Sequence, residues 1–119
     1  MLLIYSDPKA WEALSAQESE NVLKEYMTFT IGIVESNEYK SGAPLQGIDT
    51  ATTVRVHDGE RLVTDGPFAE TREVLGGYYI VDVPDLDRAL EIAAEIPGNK
   101  RGISSVEVRP VQEVPDMNV

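Results

Sequence analysis

Cysteine is absent from this 119-residue chain, and histidine occurs once. The first absence excludes thiol nucleophiles, disulfides and cysteine–zinc sites, and a single histidine cannot build a histidine-rich metal centre within one chain. Basic residues are scarce: Lys and Arg together number 10 against 21 Asp and Glu, for a net charge of -11. A surface of that sign repels phosphate backbones and anionic lipid, so neither direct nucleic-acid binding nor membrane attachment is expected. The acidity is spread along the chain rather than gathered in a tail, which fits a solubility role. No apolar run approaches the roughly 18–20 residues of a membrane span. The opening Met1-Leu2-Leu3-Ile4-Tyr5 lacks the basic start and the length of a secretion signal, so it reads as a first strand, with the cytoplasm as the expected compartment. Neither a Gly-x-x-x-x-Gly-Lys phosphate loop nor a dinucleotide glycine fingerprint occurs, and no cofactor is expected.

What is present fits one domain over residues 1–113 followed by a C-terminal tail over 114–119. Hydrophobic residues make up 42% of the chain, enough for a core without staples at this size. Asp7-Pro8 ends the first strand, because proline cannot serve a ladder, and a short turn of helix over 8–14 follows. Ser15-Ala16-Gln17-Glu18 has capping-box spacing and predicts a long helix to about Glu35. Val22, Tyr26, Phe29 and Ile33 recur at helical spacing as its buried stripe, with Leu23, Met27 and Val34 widening it. Glu38 to Leu45 reads as a twisted or edge strand.

Residues 51–57 and 60–64 alternate around Asp58-Gly59, a strong hairpin signal. A two-residue turn pairs His57 with Glu60 and Arg55 with Leu62. Val54, Val56 and Val63 then share one face, opposite Arg55, His57 and Leu62. Residues 69–76 read as a loop or short helical excursion, and 77–83 as a strand in which Tyr78 and Tyr79 point to opposite faces. Pro84-Asp85 opens a second helix with Asp85 as N-cap, and Pro97-Gly98 stops it. Residues 105–111 read as the last strand. With the hairpin set aside, the order is βαββαβ, a ferredoxin-like α+β arrangement with an inserted β-hairpin. Both helices cover one sheet face. The other is left open and mixed in polarity, so a homodimer with facing sheets is expected.

The segment Leu62 to Tyr79, with Asp65-Gly66-Pro67-Phe68 at its centre and Gly76-Gly77-Tyr78-Tyr79 at its end, closely resembles the DGPF branch of the YCII-related family. Met1 to Tyr5, Ala51 to Arg55, Val83-Pro84-Asp85-Leu86 and Val106-Glu107-Val108-Arg109-Pro110 extend the likeness over nearly the whole chain. The resemblance implies a dimeric α+β barrel. It also implies a functional link to extracytoplasmic-function sigma factors through gene neighbourhood. Related YCII proteins are thought to use a His-Asp pair. Here the middle of the first long helix reads Glu25-Tyr26-Met27-Thr28-Phe29 and the sole histidine is His57 in the hairpin, so that pair does not carry over.

Asp65 to Phe68 has two readings. In one, the loop is structural: the aspartate caps the turn, Gly66 takes a left-handed conformation, Pro67 fixes the next φ, and Phe68 anchors in the core. In the other, Asp65 lies at a pocket rim as proton acceptor or hydrogen-bonding anchor. Arg55 is expected on the sheet face that meets the partner, either paired with Glu107, Asp65 or Glu70, or holding an anionic ligand together with Arg109. His57 is expected at the surface facing Glu60. Glu70 and Glu73 flank Arg72 as a solvated charge cluster, with no metal role. One of Tyr78 and Tyr79 is expected in the core. Tyr79 is taken as the ligand-orienting member, and Gly76-Gly77 as a bulge or close backbone approach.

The candidate ligand-binding set is therefore Arg55, Asp65, Gly66, Pro67, Phe68, Tyr79 and Arg109, with Asp65 as the candidate catalytic base. The leading expectation is a protein that binds a small polar or anionic molecule in an inter-sheet cavity of a homodimer. The alternatives are a proton-transfer enzyme (isomerase, lyase or hydrolase) in the same cavity, and a protein-interaction module tied to sigma-factor regulation.

Overall fold

A computed structural model describes residues 1–115, so the last four residues of the expected tail lie outside the described residues. The elements in chain order are β1 (Leu2–Ser6), α1 (Pro8–Glu12), α2 (Ala16–Glu35), β2 (Tyr39–Pro44), β3 (Thr52–His57), β4 (Glu60–Asp65), β5 (Val74–Val81), α3 (Leu86–Glu95), α4 (Pro97–Lys100) and β6 (Ser104–Val108). A single 3-10 turn at Ile48–Thr50 precedes β3. β2, β5, β1 and β6 form one antiparallel sheet in that order, and β3 and β4 form a separate two-stranded sheet. The strand order and the two long crossover helices are those of a ferredoxin-like α+β fold with an inserted hairpin.

Alternation decides which strand residues meet the helices. Leu2, Ile4 and Ser6 of β1 are buried. Leu2 lies across from Tyr79 and Val108, and Ile4 from Gly77 and Val106. Ile33 of α2, together with Ile92, Ala93 and Ile96 from the α3 segment, closes over this face to form the core. Gly76 falls out of register between the pairs Ile4–Gly77 and Tyr5–Leu75, which is the bulge expected from the double glycine. A Cβ on Gly77 would sit 3.0 Å from the Ala43 carbonyl oxygen, so the second glycine permits the close approach of β2. β5 begins at Val74, earlier than the sequence pattern indicates. β6 ends at Val108: the Arg109 N–H still donates to the Met1 carbonyl at 2.9 Å, but Pro110 cannot extend the ladder.

α2 starts on a complete capping box, in which Ser15 Oγ accepts from the Glu18 N–H and Glu18 Oε1 accepts from the Ser15 N–H. It buries Val22 and Ile33 and half-buries Tyr26 and Phe29. Leu23, Met27 and Val34, expected to widen the buried stripe, are instead exposed. The reason is geometric: a helix lying on a sheet presents only one arc to it, and these three residues fall beside that arc. At the other end Asn37 takes φ 62°, the Glu38 N–H donates to Ile33 O and the Asn37 N–H to Val34 O. This double bond is the Schellman reversal, and it uses asparagine where glycine is commoner.

The reversal delivers Glu38 to the start of α3. There Arg88 Nε donates to Glu38 Oε2 at 2.7 Å and its Nη2 to Oε1 at 2.8 Å, a bidentate fork. Ser36 Oγ donates a third bond to Glu38 at 2.6 Å. Asp85 caps α3 by accepting from the Arg88 N–H. Farther along, Tyr26 Oη accepts from the Gly98 N–H, and the buried hydroxyls of Ser6 and Ser104 bond to each other at 2.7 Å. These contacts join α3 to the turn before β2, α2 to α4, and β1 to β6.

The Arg88 fork, with Ser36 behind it, draws the Glu38 carboxyl well below the usual carboxylate range, down to about 2. The folded chain therefore keeps this charge at lower pH than the unfolded chain. Its stabilisation is fully present above the unfolded value and is lost as pH falls toward about 2. Glu38→Gln is expected to lower the melting temperature at neutral pH and to flatten its decline across that acid range. Wild-type and variant melting profiles that run parallel through the acid range would rule this out.

Candidate functional site

The face of the four-stranded sheet turned away from the helices is bare. Register places Leu3 between Tyr78 and Glu107, Tyr5 between Leu75 and Ser105, Ala43 beside Tyr78, and Ser41 beside Ile80. Leu3, Tyr5, Tyr78 and Ile80 are half-buried by their neighbours alone, since no helix covers them. The face thus combines an apolar centre with two phenols and two serine hydroxyls. Glu107 and Arg109 stand at one side, their charged groups 3.6 Å apart.

Tyr79 belongs to the opposite face. It is only 9% exposed, packs edge-on against Phe29 with ring centroids 5.3 Å apart, and shares a 2.8 Å hydrogen bond with the Thr30 hydroxyl. Burial raises the pKa of its hydroxyl. Gly42 makes room for the ring: a Cβ there would sit 2.8 Å from Tyr79 Cδ1. Its expected role as the ligand-orienting tyrosine is therefore corrected. Tyr78 is the member of the pair that reaches the open face. Tyr5 is there too, and the alternation of Leu2 to Ser6 would have identified it.

Arg55 also departs from expectation. It lies on β3, in the separate two-stranded sheet rather than on the four-stranded one, and its Nη2 donates to the Phe68 carbonyl at 3.1 Å in place of an acidic partner. Two more bonds fix the same segment: Thr53 Oγ1 donates to Gly66 O at 2.7 Å, and the Gly66 N–H donates to Ala51 O at 2.8 Å. Gly66 has φ 98°, the left-handed backbone that favours glycine. The Asp65–Phe68 segment is thus stapled back onto β3, and the staples come from Thr53, Ala51 and Arg55 rather than from the Asp65 carboxylate. Asp65, the last residue of β4, is exposed.

Phe68 is 78% exposed, not anchored in the core. The bonds to residues 66 and 68 hold the backbone against the hairpin, which leaves the ring outside. Arg72 pairs with Asp7 at 3.3 Å instead of with its flanking glutamates. His57 lies across from Glu60 and within 3.3 Å of Asp58 at the exposed hairpin tip. Of the residues singled out from sequence, the structure gathers Arg55, Asp65, Gly66, Pro67 and Phe68 around the base of the hairpin. It sets Arg109 on another sheet and Tyr79 in the core.

On the helix side a groove of about 590 Å³ runs between α2 and α3 over Phe29, Ile33 and Ile92, with Arg88 and Glu91 on its wall. It lies across the sheet from the bare face. Arg88 is already engaged by Glu38, so the groove offers no free cation there. Among the described residues no helix is long and apolar enough to cross a membrane.

A four-stranded antiparallel sheet with helices on one side and a bare, hydroxyl-bearing face on the other defines a ferredoxin-like α+β protein. The YCII-related domain model matches residues 1–113. An uncharacterised protein of Rhizobium meliloti (strain 1021) is 36% identical over 110 residues, which cover 92% of this chain and 89% of that protein. The chain belongs to the YCII-related family.

The two tyrosines make the assignment of faces testable. Tyr79→Phe removes a partly buried hydrogen bond and is expected to cost about 1 kcal/mol in urea unfolding, whereas Tyr78→Phe is expected to stay within about 0.5 kcal/mol. The reverse order would mean that the faces are assigned wrongly.

Proposed function

We propose that two copies of the chain bring their bare sheet faces together and bind a small polar or anionic molecule in the chamber between them. The observation that carries this reading is the helix-free face itself. A sheet surface bearing Leu3, Tyr5, Leu75, Tyr78 and Ile80 is too apolar to stand in water without a partner. Its hydroxyls and the flanking Glu107–Arg109 pair are polar enough that a perfectly dry seal would leave them unmatched. An enclosed space with an apolar wall and a few hydroxyl and charged groups is the usual composition of a small-molecule site. Arg109 is the cation placed to meet a carboxylate or phosphate, since its present partner is exposed and held only at 3.6 Å.

Binding is favoured over catalysis by the residues the face carries. The proton-transfer reading depends on Asp65 as base, Arg55 as electrostatic stabiliser and Tyr79 as orienting group. Tyr79 is committed to the core, and Arg55 is committed to the Phe68 carbonyl.

Light scattering coupled to size exclusion is expected to give twice the chain mass, and Tyr78→Glu is expected to reduce it to that of a single chain. A thermal-shift screen of small carboxylic and phosphorylated metabolites is expected to find a stabilising compound whose effect is lost in Arg109→Ala. A wild-type protein that stays monomeric at high micromolar concentration would overturn the reading, as would a screen without any stabilising compound.

A further inference from the structure

β3 and β4 form an arm. Their pairing is regular from Thr52–Asp65 to His57–Glu60, and Asp58 (φ 49°) and Gly59 (φ 79°) close it as a type I′ turn. Yet the arm is barely packed against its own chain. Among the described residues, its principal contact with any element is that between its own two strands. Val54, Val56 and Val63 on one face and Leu62 on the other are all about half exposed or more, with Val56 at 72%. An isolated two-stranded hairpin is marginal in water. A sequence that gives one an optimal turn, β-branched pairs and a stapled base invests in a shape that its own fold leaves unsupported.

The dimensions point the same way. The radius of gyration is 16.6 Å, against roughly 13.5 Å for a compact domain of this length, and the molecule is a slab of 47 × 44 × 21 Å. The charge of the arm is compatible with a second copy of this chain as the surface it meets. The chain as a whole has twice as many acidic as basic residues, whereas the arm sets Arg55 and Arg61 against Asp58, Glu60 and Asp65 and is close to neutral. It is therefore a segment that can lie on another acidic copy without strong repulsion. The area is also relevant. A bare face of four strands by about five residues measures roughly 20 by 17 Å, a modest footprint beside the roughly 800 Å² per partner of a stable interface. An arm given and an arm received add a second patch on each copy.

We infer that the β3–β4 arm, with Phe68 at its base, clasps a second copy of this chain and buries Val54, Val56, Val63 and Phe68 on it. The arm is then a second interface, beyond the contact of sheet faces, and the exposed DGPF phenylalanine is an anchor residue for it. This inference shares with the proposed function the premise of a dimer, but it does not require that the sheets face each other.

The absence of cysteine allows a clean test on the full chain. Val56→Cys on the arm and Ser105→Cys on the bare face are each labelled with a benzophenone maleimide. Labelled chains are mixed with isotopically heavy wild type, irradiated, and the cross-links are read by mass spectrometry. The expected result is a light-to-heavy cross-link from position 56. Inter-chain links from 105 with none from 56 would overturn the arm inference and leave the facing sheets standing. Links from 56 with none from 105 would uphold the arm and overturn the facing sheets. No inter-chain link from either would overturn both. A variant with Val54, Val56 and Val63 changed to threonine keeps the β-branched shape and the hairpin. Its dimer dissociation constant is expected to rise roughly tenfold or more, and Phe68→Ser is expected to act in the same direction. Unchanged dimer affinity in both variants, with melting behaviour like wild type, would overturn the inference.

Discussion

The register of β5 is the constraint on which the rest of the molecule depends. Side chains alternate along a strand, so a slip of one residue would exchange Tyr78 with Tyr79 and turn the sheet inside out. The slip is resisted from three sides. Thr30 holds the Tyr79 hydroxyl from α2, Phe29 meets its ring edge-on, and Gly42 on the neighbouring strand leaves the gap that the ring occupies. The bulge at Gly76 then resets the pairing with β1, so that Leu75 and Val74 face correctly against Tyr5 and Ser6. One buried phenol thus determines which residues the protein keeps for its core and which it presents on the open side.

The hairpin shows a different kind of organisation. The four-stranded sheet is stabilised by burial, whereas β3 and β4 are shaped by local chemistry: a type I′ turn at the tip, cross-strand β-branched pairs along the length, and three hydrogen bonds at the base. The DGPF segment belongs to that base. Its glycine supplies the left-handed residue, its backbone carbonyls receive the Thr53 and Arg55 side chains, and its phenylalanine is turned outward. Arg55 in this setting holds the Phe68 backbone through one guanidinium nitrogen.

Much of the fold was legible because it is written in local patterns. The Ser15–Glu18 capping box, the Asp85 cap, the Asp58-Gly59 turn with its register, and the double-glycine bulge are short-range signals, and each formed as the residue types require. The candidate site was less legible because it depends on tertiary placement. Alternation shows that Tyr78 and Tyr79 point opposite ways but not which one faces the helices. That is settled by Gly42, on a strand distant in sequence. Phe68 is an apolar residue that composition assigns to the core, and hydrogen bonds to its neighbours hold it out. The exposure of Leu23, Met27 and Val34 was hidden for a similar reason. Helical spacing marks an apolar arc but cannot say how much of it a sheet will cover.

The gap at Gly42 also bears on how the family can diverge. Because the missing side chain at 42 and the ring at 79 occupy one volume on adjacent strands, neither position is free to change size alone. A relative that acquires even a methyl group at 42 must shrink or turn the residue at 79, and one that loses the ring leaves a void that a larger residue at 42 is placed to fill. The two positions should therefore drift as a matched couple across homologues, with inversely related side-chain volumes.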